Sequence, residues 1–255
     1  MKILVELAPR KEIGELETIL TSVKEYVDCF DIPESPLGIP APNSIATGIY
    51  VKNVTGKCVI SHIRLYDVNR TALLSLAYAA QLYGIDGIVL THGDIPRSGV
   101  IVRDITTIDA IKLLEKEVPK LKIGAIISLR YPFEDIVKRI DSGADFYLVL
   151  RLSKESIEKY MKVLDAAEKQ GVELYPYIIV STEKNKKILE KIKQPSIPLN
   201  ELQGFLSEYR DLLHGVVFSS PLDLDGLIKS LEIAYETKLV SRKALQQQQC
   251  FQASL

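Results

Sequence analysis

Polar side chains follow two neighbouring apolar runs of the sequence. The stretches VISHIRLYDVNR (59–70) and GIVLTHGDIPRSG (87–99) each begin as a buried strand and end in charged or hydrogen-bonding residues. In a parallel sheet, functional residues gather at the carboxyl ends of the strands. The residues that these two ends would bring together are His62, Arg64, Asp67, Asn69, His92, Asp94 and Arg97.

Two carboxylates add to this set, because Glu6 ends the first apolar run and Glu34 follows the second. Histidines with carboxylates can bind a metal for hydrolysis, provide general acid–base catalysis around a planar heterocycle, or bind a ligand without turnover. We assign no metal ligand, because the missing H-x-H pair and Arg64 beside His62 argue against a cation, although metal-assisted hydrolysis stays a third alternative. Each residue alone also has an ordinary structural role; Asp67, for example, could cap a helix. Spacing alone leaves all three chemistries open.

Apolar strand-like runs alternate with helical periodicity along the chain, which indicates a parallel sheet covered by helices. Eight such units predict an α/β fold of the (β/α)8 TIM-barrel type. A doubly wound sheet is the alternative, but ELAPRKEIG (6–14) lacks its glycine-rich turn. The predicted strands are 2–7, 27–32, 57–65, 87–92, 122–129, 145–152, 172–180 and 215–220. Helical segments include 69–84, 106–118, 154–171 and 222–239, and Gly84, Gly143 and Gly171 mark helix ends.

Composition limits the classes of protein. The chain has 255 residues, 47% of them hydrophobic, and a net charge of −1, so we expect a globular protein that does not bind nucleic acid. The first apolar run is too short for a signal peptide or a membrane span. Cys29, Cys58 and Cys250 are widely spaced and suggest neither a disulfide framework nor a zinc site, which favours the cytoplasm. We predict one catalytic barrel over 1–240 and a flexible, glutamine-rich tail over 241–255.

An ordered series of segments resembles the methylenetetrahydrofolate reductase family. It is most similar to the form fused to bacterial homocysteine methyltransferases, and the likeness spans about residues 1–237. The segments are VELAPRK (5–11), DIPESPLGIPAPNSIA (31–46), SHIRLYDVNR (61–70), YGIDGIVLTHGDIPRSG (83–99), VKRIDSGADFYL (137–148) and LYPYIIVSTEKNKKILEKIKQPSIP (174–198).

The resemblance implies a (β/α)8 barrel that binds FAD, which NADH or NADPH reduces and which passes hydride to a methylene-tetrahydropterin. Glu6 matches the general acid that protonates the pterin nitrogen. Asp94 matches the carboxylate near the flavin pyrimidine edge and the pterin. Basic side chains suit the diphosphate. The positions that match flavin contacts are His62, His92, Gly93, Asp94, Asp135, Lys138 and Arg139.

Several departures from the family pattern concern the substrate. Leu150 stands where the family has a glutamine that contacts folate, and Ala41 and His92 replace other family residues. We therefore expect an altered pterin, weak activity with ordinary methylenetetrahydrofolate, and substrate contacts from Glu34, Arg64, Asp67 and Leu150. A flavin-free reductase, or a non-redox pterin-binding protein that partners a methyltransferase, remains open. A homo-oligomer is compatible with either.

Overall fold

Eight parallel strands close into a barrel, which confirms the predicted fold class. The computed structural model describes the backbone of residues 1–252 and the side chains of residues 1–239. The ninth strand, β8, is a short extension that pairs with the end of β7. The strands are β1 (Lys2–Glu6), β2 (Cys29–Ile32), β3 (Cys58–Arg64), β4 (Gly87–Thr91), β5 (Lys122–Ser128), β6 (Phe146–Leu150), β7 (Glu173–Ser181), β8 (Ile197–Pro198) and β9 (Gly215–Ser219).

Barrel closure runs from β6 to β7, from β7 to β9 and from β9 back to β1. Helices follow the strands and cover the outside of the barrel. They are α1 (Ile13–Val23), α2 (Ser44–Thr55), α3 (Arg70–Leu82), α4 (Thr107–Glu117), α5 (Phe133–Ile140), α6 (Ile157–Glu168), α7 (Lys186–Ile192), α8 (Leu202–Tyr209) and α9 (Leu224–Gln252). No helix in the described part of the chain is both long and apolar enough to span a bilayer.

The predicted elements agree with the structure apart from their ends. Each of the eight apolar runs overlaps one barrel strand, and the predicted helical segments contain α3, α4, α6 and the first part of α9. Gly84, Gly143 and Gly171 have positive φ, as helix-ending glycines require. The backbone of α9 stays helical to Gln252, so it covers most of the segment 241–255, whose last three residues lie outside the described chain. The division at residue 240 and the flexibility of the tail stay predictions.

Apolar side chains fill the floor of the barrel and separate the sheet from the helices. At this floor the expectation of unpaired cysteines is wrong, because Cys29 and Cys58 form a disulfide. The two residues are register partners on the adjacent strands β2 and β3, with their Cα atoms 4.4 Å apart. Sequence separation hid this pairing, since only the strand register brings the two sulfur atoms together.

Gly124 on β5 leaves the space that the ring of Phe146 occupies. A Cβ at Gly124 would lie 2.4 Å from this ring, which is itself buried in the barrel. Gly124→Ala should therefore lower the free energy of unfolding by about 1–3 kcal/mol, the usual cost of overpacking. In the control Gly14→Ala, on the exposed face of α1, the new Cβ meets no atom within 4 Å. Urea denaturation of both variants checks this; equal stabilities would contradict it.

Candidate active site

A cavity of about 1000 Å³ opens at the carboxyl ends of the strands. Apolar residues such as Leu7, Ile126 and Ile179 form much of its wall. Most side chains that the sequence singled out meet here, as the barrel topology requires. The predicted residues that line the cavity are Glu6, Glu34, His62, Arg64, His92, Gly93, Asp94, Asp135, Arg139 and Leu150. Asp67 and Lys138 are not among the lining residues.

A buried network of three side chains lies at the base of this cavity. His62 Nε2 is 2.8 Å from Asp31 Oδ1, and the Tyr177 hydroxyl donates a hydrogen bond to Asp31 Oδ2. Asp31 is fully buried at the end of β2. Asp31 and Tyr177 were not singled out from the sequence, although a charged residue inside the apolar run VDCFDI (27–32) was a usable signal.

Electrostatics set the protonation of this network. Burial by itself would lower the pKa of His62, but the neighbouring carboxylates Asp31, Glu6 and Glu34 outweigh it, and the pKa is raised. Burial and then the charge of Asp31 hold the pKa of Tyr177 well above its ordinary value. Tyr177 therefore remains a neutral hydrogen-bond donor, and His62 is more readily charged than an exposed histidine.

Glu6 ends β1 beside this network and accepts a hydrogen bond from the Ser219 hydroxyl on the adjacent strand β9. Burial is the main cause that raises the pKa of Glu6, and the charge of Asp31 adds to it. Ser219 and His62 act in the opposite direction without cancelling the shift. Glu6 consequently retains a proton to higher pH than an exposed glutamate, which is what a general acid requires.

Arg64 is buried and connects the loops after β2, β3 and β4. Its Nη1 donates to the Ser35 carbonyl at 2.5 Å, and its Nη2 donates to the Asp94 carbonyl at 3.0 Å. Its Nε lies 3.1 Å from Asp67 Oδ2 in an ion pair. Gly93 packs directly on this side chain, with φ of 75°, and a Cβ there would lie 2.8 Å from it. Arg64 and Asp67 thus stabilise the rim, and the contact of both residues with a substrate stays a prediction.

Three other predicted residues hold loops while still facing the cavity. Glu34 accepts hydrogen bonds from the Ser44 backbone N–H at 2.8 Å and from Asn43 Nδ2, so it helps to start α2. Asp94 accepts one from the Leu37 N–H at 3.0 Å and keeps an exposed carboxylate. His92 Nδ1 lies 3.3 Å from Thr107 Oγ1, and burial, followed by the charge of Arg139, lowers the pKa of His92.

On α5 the three predicted residues differ in their surroundings. Lys138 is exposed and lies 3.9 Å from Asp135, which does line the cavity. Arg139 also lines the cavity, and its buried Nε has no hydrogen-bond partner among the described residues. A half-buried guanidinium of this kind is suited to an anionic ligand group. No group of three or more histidine, cysteine or acidic residues in the described chain is arranged to hold a metal ion.

The chain is a TIM-barrel protein with a cavity at the carboxyl ends of its strands. No protein-family model and no curated protein matches the chain. A solved Clostridium thermocellum protein, described as uncharacterized and as binding two copies of 5-methyl-5,6,7,8-tetrahydrofolic acid, matches at 13% identity and a TM-score of 0.65, covering 94% of this chain and 95% of its own.

Two further solved structures have the same architecture. Orotidine 5'-monophosphate decarboxylase from Methanocaldococcus jannaschii matches at 14% identity and a TM-score of 0.54, over 92% of this chain and 97% of its own. The tryptophan synthase complex from Pyrococcus furiosus matches at 12% identity and a TM-score of 0.55, covering 93% of this chain and 97% of its own. At these identities, all three likenesses establish the fold alone.

Proposed function

We propose that this chain binds a tetrahydropterin in its cavity and acts as a reductase similar to methylenetetrahydrofolate reductase. The observation that carries the proposal is Glu6, a carboxyl group with a raised pKa that faces a large, mainly apolar cavity. Such a cavity with a few polar groups suits a planar heterocycle. The pterin ligand of the structurally similar Clostridium protein supports the same class of ligand.

The residues present also fit FAD, because the Arg139 guanidinium, whose Nε has no hydrogen-bond partner among the described residues, lines a cavity with room for a dinucleotide. When bound, FAD supplies the hydride that originates from NADH or NADPH. The chain itself contributes proton transfer and orientation: Glu6 holds the proton for the pterin nitrogen, and the exposed Asp94 carboxylate accepts an N–H of the heterocycle. Leu150 gives the cavity an apolar surface where the methylenetetrahydrofolate reductase family has a glutamine, so we expect the pterin to be modified.

A non-redox protein that binds a methyl-tetrahydropterin, as the partner of a methyltransferase, is the second candidate. It is favoured by the ligand of the Clostridium protein, which is the methyl form. The two candidates differ in whether the chain needs a hydride donor. A flavin-free reductase would bind the methylene form and NADH or NADPH but no FAD.

Three measurements on the purified protein separate these candidates. They are the visible absorbance of bound flavin, calorimetric titration with 5-methyltetrahydrofolate, and anaerobic turnover of a methylene-tetrahydropterin with NADPH. The reductase proposal expects flavin binding and turnover. Binding of the methyl form with neither flavin nor turnover favours the non-redox protein, and the absence of pterin binding contradicts both.

Arg139 and Lys138 provide a matched test of the flavin site. Arg139→Ala should weaken FAD binding by about tenfold or more, because a charge-assisted contact to a phosphate is lost. Lys138→Ala should leave binding unchanged, since this side chain is exposed and points to Asp135. Quenching of flavin fluorescence measures both affinities. Equal losses in the two variants would indicate a general effect of charge and would contradict the assignment.

A further inference from the structure

Three side-chain atoms in the described chain are buried without a hydrogen-bond partner, namely Arg64 Nε, Arg139 Nε and Gln194 Oε1. All three residues line the same cavity. Buried polar atoms of folded proteins nearly always have partners, so exceptions require an explanation. Their grouping around one cavity is the feature to be explained.

Gln194 is the member of this set that no other observation explains. Arg64 Nε is compensated by its ion pair with Asp67 at 3.1 Å. Arg139 is accounted for by the proposed anion site. Gln194 Oε1 has neither an ion pair nor a hydrogen bond, and no feature of the sequence singled this residue out.

The backbone around Gln194 is fixed at the ends of β6 and β7. Arg151, the residue after β6, donates from Nη1 to the Lys193 carbonyl at 3.0 Å. Lys193 itself has a φ of 53°, a left-handed conformation that ends α7. Three residues after Gln194, Ile197 pairs with Val180 of β7. The backbone on both sides of Gln194 is therefore fixed, and its side chain lines the cavity.

Apolar residues dominate this side of the cavity, where Leu150, Ile179, Ile188 and Ile192 also line the wall. An amide oxygen accepts an N–H, and the amide nitrogen beside it donates to a carbonyl. The cyclic –NH–CO– edge of a heterocycle matches this pair, and the apolar surroundings suit its ring. A sugar hydroxyl array would need more polar partners than this wall offers.

We infer that Gln194 recognises the –NH–CO– edge of a planar heterocycle bound in the cavity, and thereby determines ligand specificity. The inference rests on the proposed function, which supplies two sources of this edge: the pterin ring and the isoalloxazine ring of a flavin. Glu6 and Gln194 would then contact different parts of one ligand, Glu6 the reacting nitrogen and Gln194 the –NH–CO– edge.

Titration of the full chain with three probes tests the inference. The probes are 5-methyltetrahydrofolate, FAD and p-aminobenzoyl-glutamate, which lacks the pterin ring. Gln194→Leu should weaken binding of whichever ring Gln194 contacts by about tenfold, with the other ring and p-aminobenzoyl-glutamate unaffected. Gln203→Leu, the same change at an exposed position of α8, should alter none of the three affinities. Gln194→Met provides a second apolar variant should the leucine variant not fold.

Thermal unfolding without ligand supplies a readout that a purely structural glutamine would not give. Removing an unpaired buried oxygen should leave the melting temperature of Gln194→Leu equal to or above that of the wild type. A lower melting temperature would show that Gln194 has a structural partner and would overturn the inference. So would wild-type affinity of the variant for both rings. A wild-type chain that binds neither ring contradicts the proposed function as well, and is distinguished by this from a failure at Gln194 alone.

Discussion

Replacing Glu6 with glutamine should slow reduction of a methylene-tetrahydropterin by about 10²-fold, the usual effect of losing a general acid. Ring opening of the substrate leaves a nitrogen that needs a proton, and glutamine cannot supply one. Flavin reduction by NADH or NADPH needs no such proton, so its rate should change little. Anaerobic stopped-flow measurement of each half-reaction separates the two effects.

The control for this prediction is Glu115→Gln, which makes the same change at an exposed position of α4 and should affect neither half-reaction. Equal slowing of both half-reactions by Glu6→Gln would mean that Glu6 positions the cofactor. If neither is slowed, the carboxyl group donates no proton and the non-redox protein becomes the better interpretation.

Because the pKa of Glu6 is raised in the folded protein, the free energy of unfolding depends on the protonation of Glu6. A carboxyl group whose folded pKa lies above its unfolded value of 4.5 contributes stability that is complete below that value. This contribution disappears as the pH rises through the folded pKa. Glu6→Gln has no such titration, so the wild type should lose free energy of unfolding relative to the variant across this range. Denaturation at several pH values measures the difference.

Much of the fold could be predicted from the sequence because burial on both faces of a parallel strand leaves a continuous apolar run. The same logic located Glu6, His62 and Asp94, since a polar residue at the end of such a run lies at the active face of a barrel. That Arg64 and Asp67 contact a substrate stays a prediction. Both residue types suit a substrate, and only the structure shows that Arg64 also connects the loops of the rim and pairs with Asp67.

What the sequence could not reveal depends on strand register and loop geometry. Asp31 and Tyr177 lie within apolar runs, and their contact joins β2 to β7 across the barrel. The disulfide needs Cys29 and Cys58 to be register partners. Gln194 lies in a lysine-rich segment that resembles an ordinary surface loop, and its significance comes only from a buried oxygen without a partner.

Replacing Asp31 with alanine should lower the free energy of unfolding by about 3–5 kcal/mol, the cost of breaking a buried ion pair. The change leaves His62 and the Tyr177 hydroxyl buried without their shared acceptor. Asp31→Asn keeps the shape of the side chain and an acceptor for Tyr177, so it should lower the free energy of unfolding by less than Asp31→Ala does. The exposed carboxylate Asp165, 2.6 Å from Lys169, is the control, because Asp165→Ala should have almost no effect.

The pH dependence of the Asp31→Asn variant tests the origin of this stabilisation. The folded pKa of His62 lies above its ordinary value of 6.5, so the ion pair contributes fully below pH 6.5 and is lost as the pH rises through the folded pKa. The difference in free energy of unfolding between the wild type and Asp31→Asn should therefore become smaller in alkaline solution. Urea denaturation across this range measures it. A difference that stays constant with pH would show that His62 is neutral and that Asp31 stabilises the barrel through its hydrogen bonds alone. The charge of Asp31 would then act on Glu6 without a cation beside it.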